Sequence, residues 1–361
     1  MLVVEVLGRN LRDCSRNLLI LKQRFFYFRP HLNMTTSPHS TSTPATQAAP
    51  KVSVCMITYR HEQYIGQAIE SVMAQETDFA VELVIGEDCS PDNTRAVIQQ
   101  YQKRFPGRIR IITAEQNVGM MPNFIRTYLA CTGQYVAMLE GDDYWTDPHK
   151  LRDQVAILDQ NPDVVLCFAG CAEVDEQGQI LKENFVPSAY RRDLSQLEIV
   201  GSYCPPTLSV LFRNHVLTNL PPAFAVVGNG DYFLFGMLTD FGHAAYLPRS
   251  VAHYRRHGGG VWSAQSLENQ YRSNLNTKLA MLRYFGGRYQ AAIMHNVNWY
   301  YVQLLTLLWH QGRRAEFWPL YRDFIRISLQ TLNKELPAFT LRLLTGRLST
   351  SALAIAPTRS Y

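Results

Sequence analysis

From Lys51 the chain alternates short apolar runs with amphipathic stretches in units of about thirty residues, and this rhythm narrows the folds open to it more than any other feature. VSVCMITY (52–59) has the unbroken apolar character of a strand covered on both faces, and IGQAIESVMAQ (65–75) has helical spacing. ELVIGEDCS (82–90) reads as a second strand ending in acids, followed by a helix from Asn93 to about Phe105. RIRIITA (108–114) is a third strand, PNFIRTYLACTG (122–133) a helix with Pro near its start and Gly at its end, and YVAMLEGDD (135–143) a fourth strand. The pattern predicts an α/β fold with a doubly wound, mostly parallel sheet. Right-handed crossovers then put the strand C-termini on one edge, where such sheets bind ligands.

Beyond a helix at 148–160, strands are expected in VVLCFAGCAEVDEQG (164–178), PTLSVLFRNHVL (206–217) and AAYLPRSVAHYRRH (244–257), with a helix in GDYFLFGMLTDFG (230–242). From Ser266 the periodicity changes to long amphipathic helices. Leu267, Tyr271, Leu275, Leu279 and Leu282 share one face, and Ile293, Val297, Tyr300, Leu304 and Leu308 repeat the pattern, with breaks at 286–288 and 311–314. The expected division is an N-terminal segment 1–50, an α/β domain 51–264, a helical appendage 265–347 and a tail 348–361. Residues 1–33 join poorly to the Ser/Thr/Pro-rich stretch that follows, which has the composition of a disordered tail. Met34 reads as an alternative start, with 1–33 an over-extended frame; a basic amphipathic membrane anchor is the other reading.

Composition limits the classes. With 361 residues, 47% hydrophobic and 18% charged, the chain has material for a sizeable core. No apolar run reaches spanning length. Its seven cysteines are scattered without a CxxC pair, which suits reduced thiols in the cytoplasm. Net charge is +5, but residues 1–50 carry six Lys/Arg against two Asp/Glu and residues 265–361 twelve against four, leaving an acidic middle. Such a middle suits cations. The basic end, with its aromatic stripe (Trp299, Tyr300, Tyr301, Trp309, Trp318), suits either packing or peripheral contact with an anionic membrane surface. No nucleic-acid partner is expected.

The run EGDDYWTDP (140–148) carries the chemistry. Three carboxylates end a buried strand, and they repel one another unless a cation lies among them. A solvated turn with Asp147 capping the next helix is the plainer alternative. Glu140 and Asp142, two apart, would share a face at the ligand edge, which suits Mg²⁺ or Mn²⁺ completed by phosphate oxygens. Asp88 ends the second strand on the same edge, and with Thr58 and Tyr59 it outlines a nucleoside pocket. Alone, Asp88 reads better as a cap before the Asn93 helix.

In order and spacing, TYRHEQYIGQAIESVMAQ, GEDCSPDNT, NVGMMPNF, LEGDDYWTDPHKLRDQ, GDYFLFGML and VAHYRRHGGGVWS resemble the glycosyltransferase family-two domain with the GT-A fold, over about residues 51–263. The resemblance implies a nucleoside-diphosphate-sugar donor, most commonly a UDP-sugar, and metal-dependent, inverting transfer to a glycan or lipid-linked acceptor in surface polysaccharide synthesis. It implies Asp142 as the direct metal ligand, Glu140 where the family carries Asp, and His257 as a third ligand. Thr58, Tyr59, Glu62, Asp88, Asp143, Arg255 and Arg256 become donor-binding residues, and Asp231 the catalytic base. A non-catalytic sugar-nucleotide or glycan-binding module with a decayed site stays open as the alternative. Other enzymes fit poorly: HGGG (257–260) has no GxSxG partner, the first strand is not followed by GxGxxG, and HEQYI lacks the second His of HExxH.

Overall fold

The structure is a computed structural model that describes residues 49–217, 219–260, 262, 265–331 and 335–345. The expectations for residues 1–48 and for the tail 348–361 lie outside these. The first half builds β1 (Val52–Thr58), α1 (Ile65–Met73), β2 (Val81–Glu87), α2 (Thr94–Arg104), β3 (Ile109–Thr113), α3 (Met120–Leu129) and β4 (Tyr135–Glu140). There follow β5 (Tyr144–Trp145), α4 (Lys150–Gln160), β6 (Val164–Val174), β7 (Ile180–Lys182), α5 (Gln196–Gly201), β8 (Leu211–Arg213), α6 (Gly230–Leu238) and β9 (His243–Arg255). Four helices close the described chain: α7 (Leu267–Phe285), α8 (Gln290–His310), α9 (Arg314–Thr331) and α10 (Glu335–Leu344).

The strands form one sheet in the order β3-β2-β1-β4-β8-β6-β9-β5, with β7 on β6. The β3-β2-β1-β4 half is parallel throughout. On the other half β8 runs antiparallel to both β4 and β6, and β9 returns parallel to β6. The sheet is thus mixed across its width. Along β1, Val54 and Met56 join one core with α1, α2 and α4, while Cys55 joins the opposite core with α3 and α6. Both faces are covered, which is why the run shows no polar alternation.

Expected helices and strands fall where the periodicity put them, give or take a few residues, with three differences. The strand expected over 206–217 shrinks to β8. Pro206 has no N–H for a ladder, and the chain winds a 3₁₀ turn in which Ser209 N donates to Pro206 O at 2.9 Å. The two-residue β5 is too short to show a pattern. Helix α5 carries a capping box that was legible in its sequence, Ser195 and Glu198, with Ser195 N donating to Glu198 Oε2 at 2.9 Å.

The C-terminal helices pack into the same core as α3 and α6. Ile293, Val297, Tyr300, Leu304 and Leu308 are all buried, as their spacing requires. Leu267 of the α7 face is exposed instead. Tyr300 and Tyr301 lie inside and only Trp318 is largely exposed, so most of the aromatic stripe serves packing. Among the described residues no helix is long and apolar enough to cross a membrane.

One core group is out of place on composition. Lys150, at the start of α4, is fully buried over the Trp145 ring at 4.2 Å, with Nζ donating to Gln154 Oε1 at 2.9 Å. Burial drags its ammonium pKa down to about 7. Between pH 7 and about 10.4 the unfolded chain therefore holds a proton that the folded chain has released, and stability rises with pH across that window. Lys150→Met removes this linkage, on the order of 4 kcal/mol from end to end. Melting temperatures across pH 7–10 should flatten in the variant, and parallel curves for variant and wild type would rule this out.

Candidate active site

The C-terminal ends of β1, β2 and β4 lie side by side, Thr58 opposite Glu87 and Ile57 opposite Glu140. The loops leaving β1 and β2 are stitched together. Arg60 N donates to Ser90 Oγ at 3.1 Å, and His61 N to Thr94 Oγ1 at 2.8 Å. Arg60 and Cys89, each one or two residues past a strand, hold positive φ of 62° and 57°, a conformation that costs a non-glycine residue about 1 kcal/mol. Strain of this kind gathers where a backbone is held for a purpose other than its own stability.

At the end of β4 the chain turns at Gly141, and there only a glycine fits. An added Cβ would meet Thr58 Oγ1 at 2.6 Å and Ile65 Cδ1 at 2.9 Å. The turn swings Asp142 out of the strand's alternation. Glu140 continues the face of Val136 and Met138, toward α3 and α6, whereas Asp142 reaches the loops after β1 and β9. Asp142 Oδ2 lies 2.9 Å from His257 Nε2 and 3.7 Å from His61 Nε2. The three donor atoms fall within 4.8 Å of one another, and Glu140 is not among them.

Electrostatics separate the two adjacent aspartates. Burial opposes ionisation of Asp142, but the two imidazoles and its own N–H outweigh it and hold its pKa below the usual range. Asp143 goes the other way: burial first, then the charges of Asp142 and Glu140, push its pKa well up, against the Arg255 N–H that donates to its Oδ1 at 2.8 Å. Burial also lowers the pKa of His61, with Asp142 opposing, and so favours the neutral imidazole that ligates metals.

This donor set fits a divalent cation. Ligands about 2.1 Å from one ion stand about 3.0–4.2 Å apart, which matches the two His–Asp separations. Among the described residues His61 Nδ1 is buried without a hydrogen bond, and Nε2 is the nitrogen turned toward Asp142. His257 is steadied by Tyr64, ring centroids 4.9 Å apart. Ligation through its Nε2 places the imidazole proton on Nδ1, where the Gly259 N–H points at 3.3 Å. This loop, in which Gly258 N donates to Glu176 Oε1 at 3.1 Å, would have to shift for Nε2 to ligate.

The remaining residues singled out in the sequence divide into two groups. Tyr59 keeps an exposed ring with the Arg60 guanidinium 5.6 Å from its centroid. Thr58 is buried with Oγ1 unpartnered against Gly141. Asp231 sits in the first turn of α6, its Oδ2 accepting from Thr207 Oγ1 at 3.1 Å and its Oδ1 from Tyr232 N at 2.7 Å. Thr207 adjoins Leu208, whose carbonyl accepts from Trp145 Nε1 at 2.8 Å, tying Asp231 to the β4–β5 turn.

Others are turned inward. Both Asp88 oxygens accept backbone N–H groups, from Val118 and Gly119 at 2.9 Å each, so the side chain moulds the loop before α3. The helix-capping work falls to Asp92, whose Oδ1 accepts from Thr94 N at 3.1 Å. Glu62 Oε2 accepts from Asn93 N at 2.8 Å. Arg255 is buried and spreads its donors over Asp142 O (3.0 Å), Glu176 O (3.0 Å) and Gln67 Oε1 (2.6 Å). Arg256 pairs with Glu173. His61 was not foreseen; its signal was its place directly after the first strand, on the edge that also carries Asp142.

Residues 53–217 match the family model for glycosyl transferase family 2. The uncharacterized protein Rv1520 of Mycobacterium tuberculosis is 37% identical over 211 residues, 58% of this chain and 60% of that protein. The chain thus spans about three fifths of the length of that relative. Among solved structures, residues 1–349 of Staphylococcus aureus TarS in complex with UDP-GlcNAc have a TM-score of 0.56 at 17% identity, over 84% of this chain and 89% of that fragment. Mannosyltransferase PcManGT of Pyrobaculum calidifontis, in complex with GDP-Man and Mn²⁺, has a TM-score of 0.54 at 15% identity, over 83% of this chain and 88% of that one. At such identities the likeness speaks for the fold. Residues 53–217 thus match glycosyl transferase family 2 in sequence, and the chain carries the fold of the GT-A glycosyltransferases.

Proposed function

We propose that this protein transfers a sugar from a nucleoside-diphosphate sugar to a hydroxyl of a glycan or lipid-linked acceptor, by metal-dependent, inverting displacement, in the building of a surface polysaccharide. The observation that carries this reading is the gathering of His61, Asp142 and His257 at the carboxyl edge of the parallel strands. The UDP-GlcNAc of TarS and the GDP-Man and Mn²⁺ of PcManGT support the donor class and the ion.

In this reading His61, Asp142 and His257 would hold Mn²⁺ or Mg²⁺, with Mn²⁺ favoured by two imidazoles, and the ion would supply positive charge against the leaving diphosphate. Tyr59 offers its exposed face to the base, and the loop shaped by Asp88 bounds the nucleoside. Arg255 holds the 142–143 turn in place, and Arg256 is the basic group free to exchange Glu173 for a phosphate. Asp231 accepts the acceptor's proton during attack, since a hydroxyl is too weak a nucleophile with its proton retained. Attack from the face opposite the leaving group inverts the anomeric centre. Glu140, turned toward α3 and α6, borders the acceptor side in place of ligating the ion.

The competing reading is a binding module with a decayed site, and the complete donor set weighs against it. Calorimetric titration with UDP, GDP and dTDP, each with and without Mn²⁺, separates the two. We expect one nucleotide to bind at least tenfold tighter with Mn²⁺, a gain of about 1.4 kcal/mol. Equal affinity with and without the ion, or no binding at all, would count against the transferase.

A further inference from the structure

The short run that leads into Asp231 is held from outside the family 2 domain. Asn229, two residues ahead of the acid, is buried with backbone angles of −123° and 79° as it enters α6. Three of its polar groups meet α7. Its side-chain Nδ2 donates to Asn274 Oδ1, its Oδ1 accepts from Ser273 Oγ at 3.3 Å, and its backbone N donates to Thr277 Oγ1 at 3.3 Å. The Thr277 hydroxyl proton is already committed to Ser273 O at 3.0 Å, so a lone pair faces Asn229 N–H. The glycines on either side of Asn229 fit as closely. A Cβ on Gly228 would collide with Ser273 Oγ, and one on Gly230 with the Met121 side chain.

One turn on, the buried ammonium of Lys278 lies 3.6 Å from the Tyr232 ring centroid and donates to Val200 O at 2.7 Å. Helix α7 thus presents Asn274, Thr277 and Lys278 to the base-bearing helix at a helix contact that leucines would fill more simply. Burying this many polar groups costs desolvation that only good geometry recovers. Their common effect is to fix one backbone direction at residues 228–231.

We infer that α7, through Asn274 and Thr277, sets the attack geometry of Asp231, so that these two are positioning residues for the transfer step. The inference rests on Asp231 acting as the base. Its benefit is directional: a shift of about 1 Å in a reacting group is enough to cost on the order of a hundredfold in rate. Substrate does not touch α7 in this account, so donor affinity is untouched.

The test uses the whole chain with Mn²⁺, UDP-GlcNAc and GDP-mannose as donors, and water or octyl glucoside as acceptor. Thr277→Val keeps the shape and removes the oxygen, Thr277→Ser keeps the oxygen, and Asn274→Leu fills the site without an acceptor atom. We expect Thr277→Val and Asn274→Leu each to lower kcat at least tenfold. Donor KM and nucleotide affinity should stay within twofold, melting temperatures within a few degrees, and Thr277→Ser should retain most of the activity. A kcat within twofold of wild type for both apolar variants overturns the inference, as does a loss shared equally by Thr277→Ser. Failure of the underlying reading shows separately, as full activity in Asp231→Asn.

Discussion

Asp142→Ala is expected to abolish the Mn²⁺-dependent part of nucleotide binding and to lower sugar transfer by about a thousandfold. Among the described residues Asp142 is the carboxylate that reaches both imidazoles, 2.9 Å from His257 and 3.7 Å from His61. Without it the two rings lose their shared anionic partner, and two neutral nitrogens hold a hard cation weakly. The strand below is little affected, since the side chain leaves the sheet at Gly141. Titration of nucleotide with and without Mn²⁺, beside a melting curve, reads the effect. A variant that kept the wild-type metal dependence would move the ion's site elsewhere.

Asp231→Asn should behave in the opposite manner, with nucleotide affinity and metal dependence intact and transfer down about a thousandfold, within the range that general base catalysis contributes. Asparagine has nearly the same shape and keeps one of the two accepting oxygens, which Thr207 Oγ1 and Tyr232 N now use separately. What it lacks is the capacity to take a proton. Product formation from UDP-GlcNAc or GDP-mannose under saturating donor separates this from a binding defect. Transfer unchanged in the variant would leave Asp231 as a helix-end acid and hand the proton to another group.

The strand ends were legible because they depend on local pattern. An apolar run meeting carboxylates at Glu140–Asp143 needs no knowledge of the rest of the chain, and neither does the helix that starts at Asp231. What failed to show was pairing across distance. His61 meets Asp142 and His257 only because the loops after β1 and β2 are tied by Ser90 and Thr94, side chains some thirty residues away. A single histidine in TYRHEQ gives no local sign of that. Arg255 looked like a phosphate clamp from its basic neighbours, yet its partners Gln67 and Glu176 lie far off in sequence, and only the fold shows its donors already taken. Glu140 and Asp142 were assigned one face by strand alternation, which lapses once Gly141 turns the chain.

The seating of α7 against the entry to α6 bears on how such a protein can change over evolutionary time. The recognisable family segment ends at residue 217, while Asp231 and the residues that orient it lie beyond it. On the proposed roles, His61 and Asp142 are inherited within that segment, whereas His257 and the base Asp231 lie beyond it. The former are constrained by the strand ends, and the setting of the base is open to drift in the packing of helices that no short motif records. Relatives sharing the first stretch closely can differ in acceptor through substitutions buried a full helix away from any sugar.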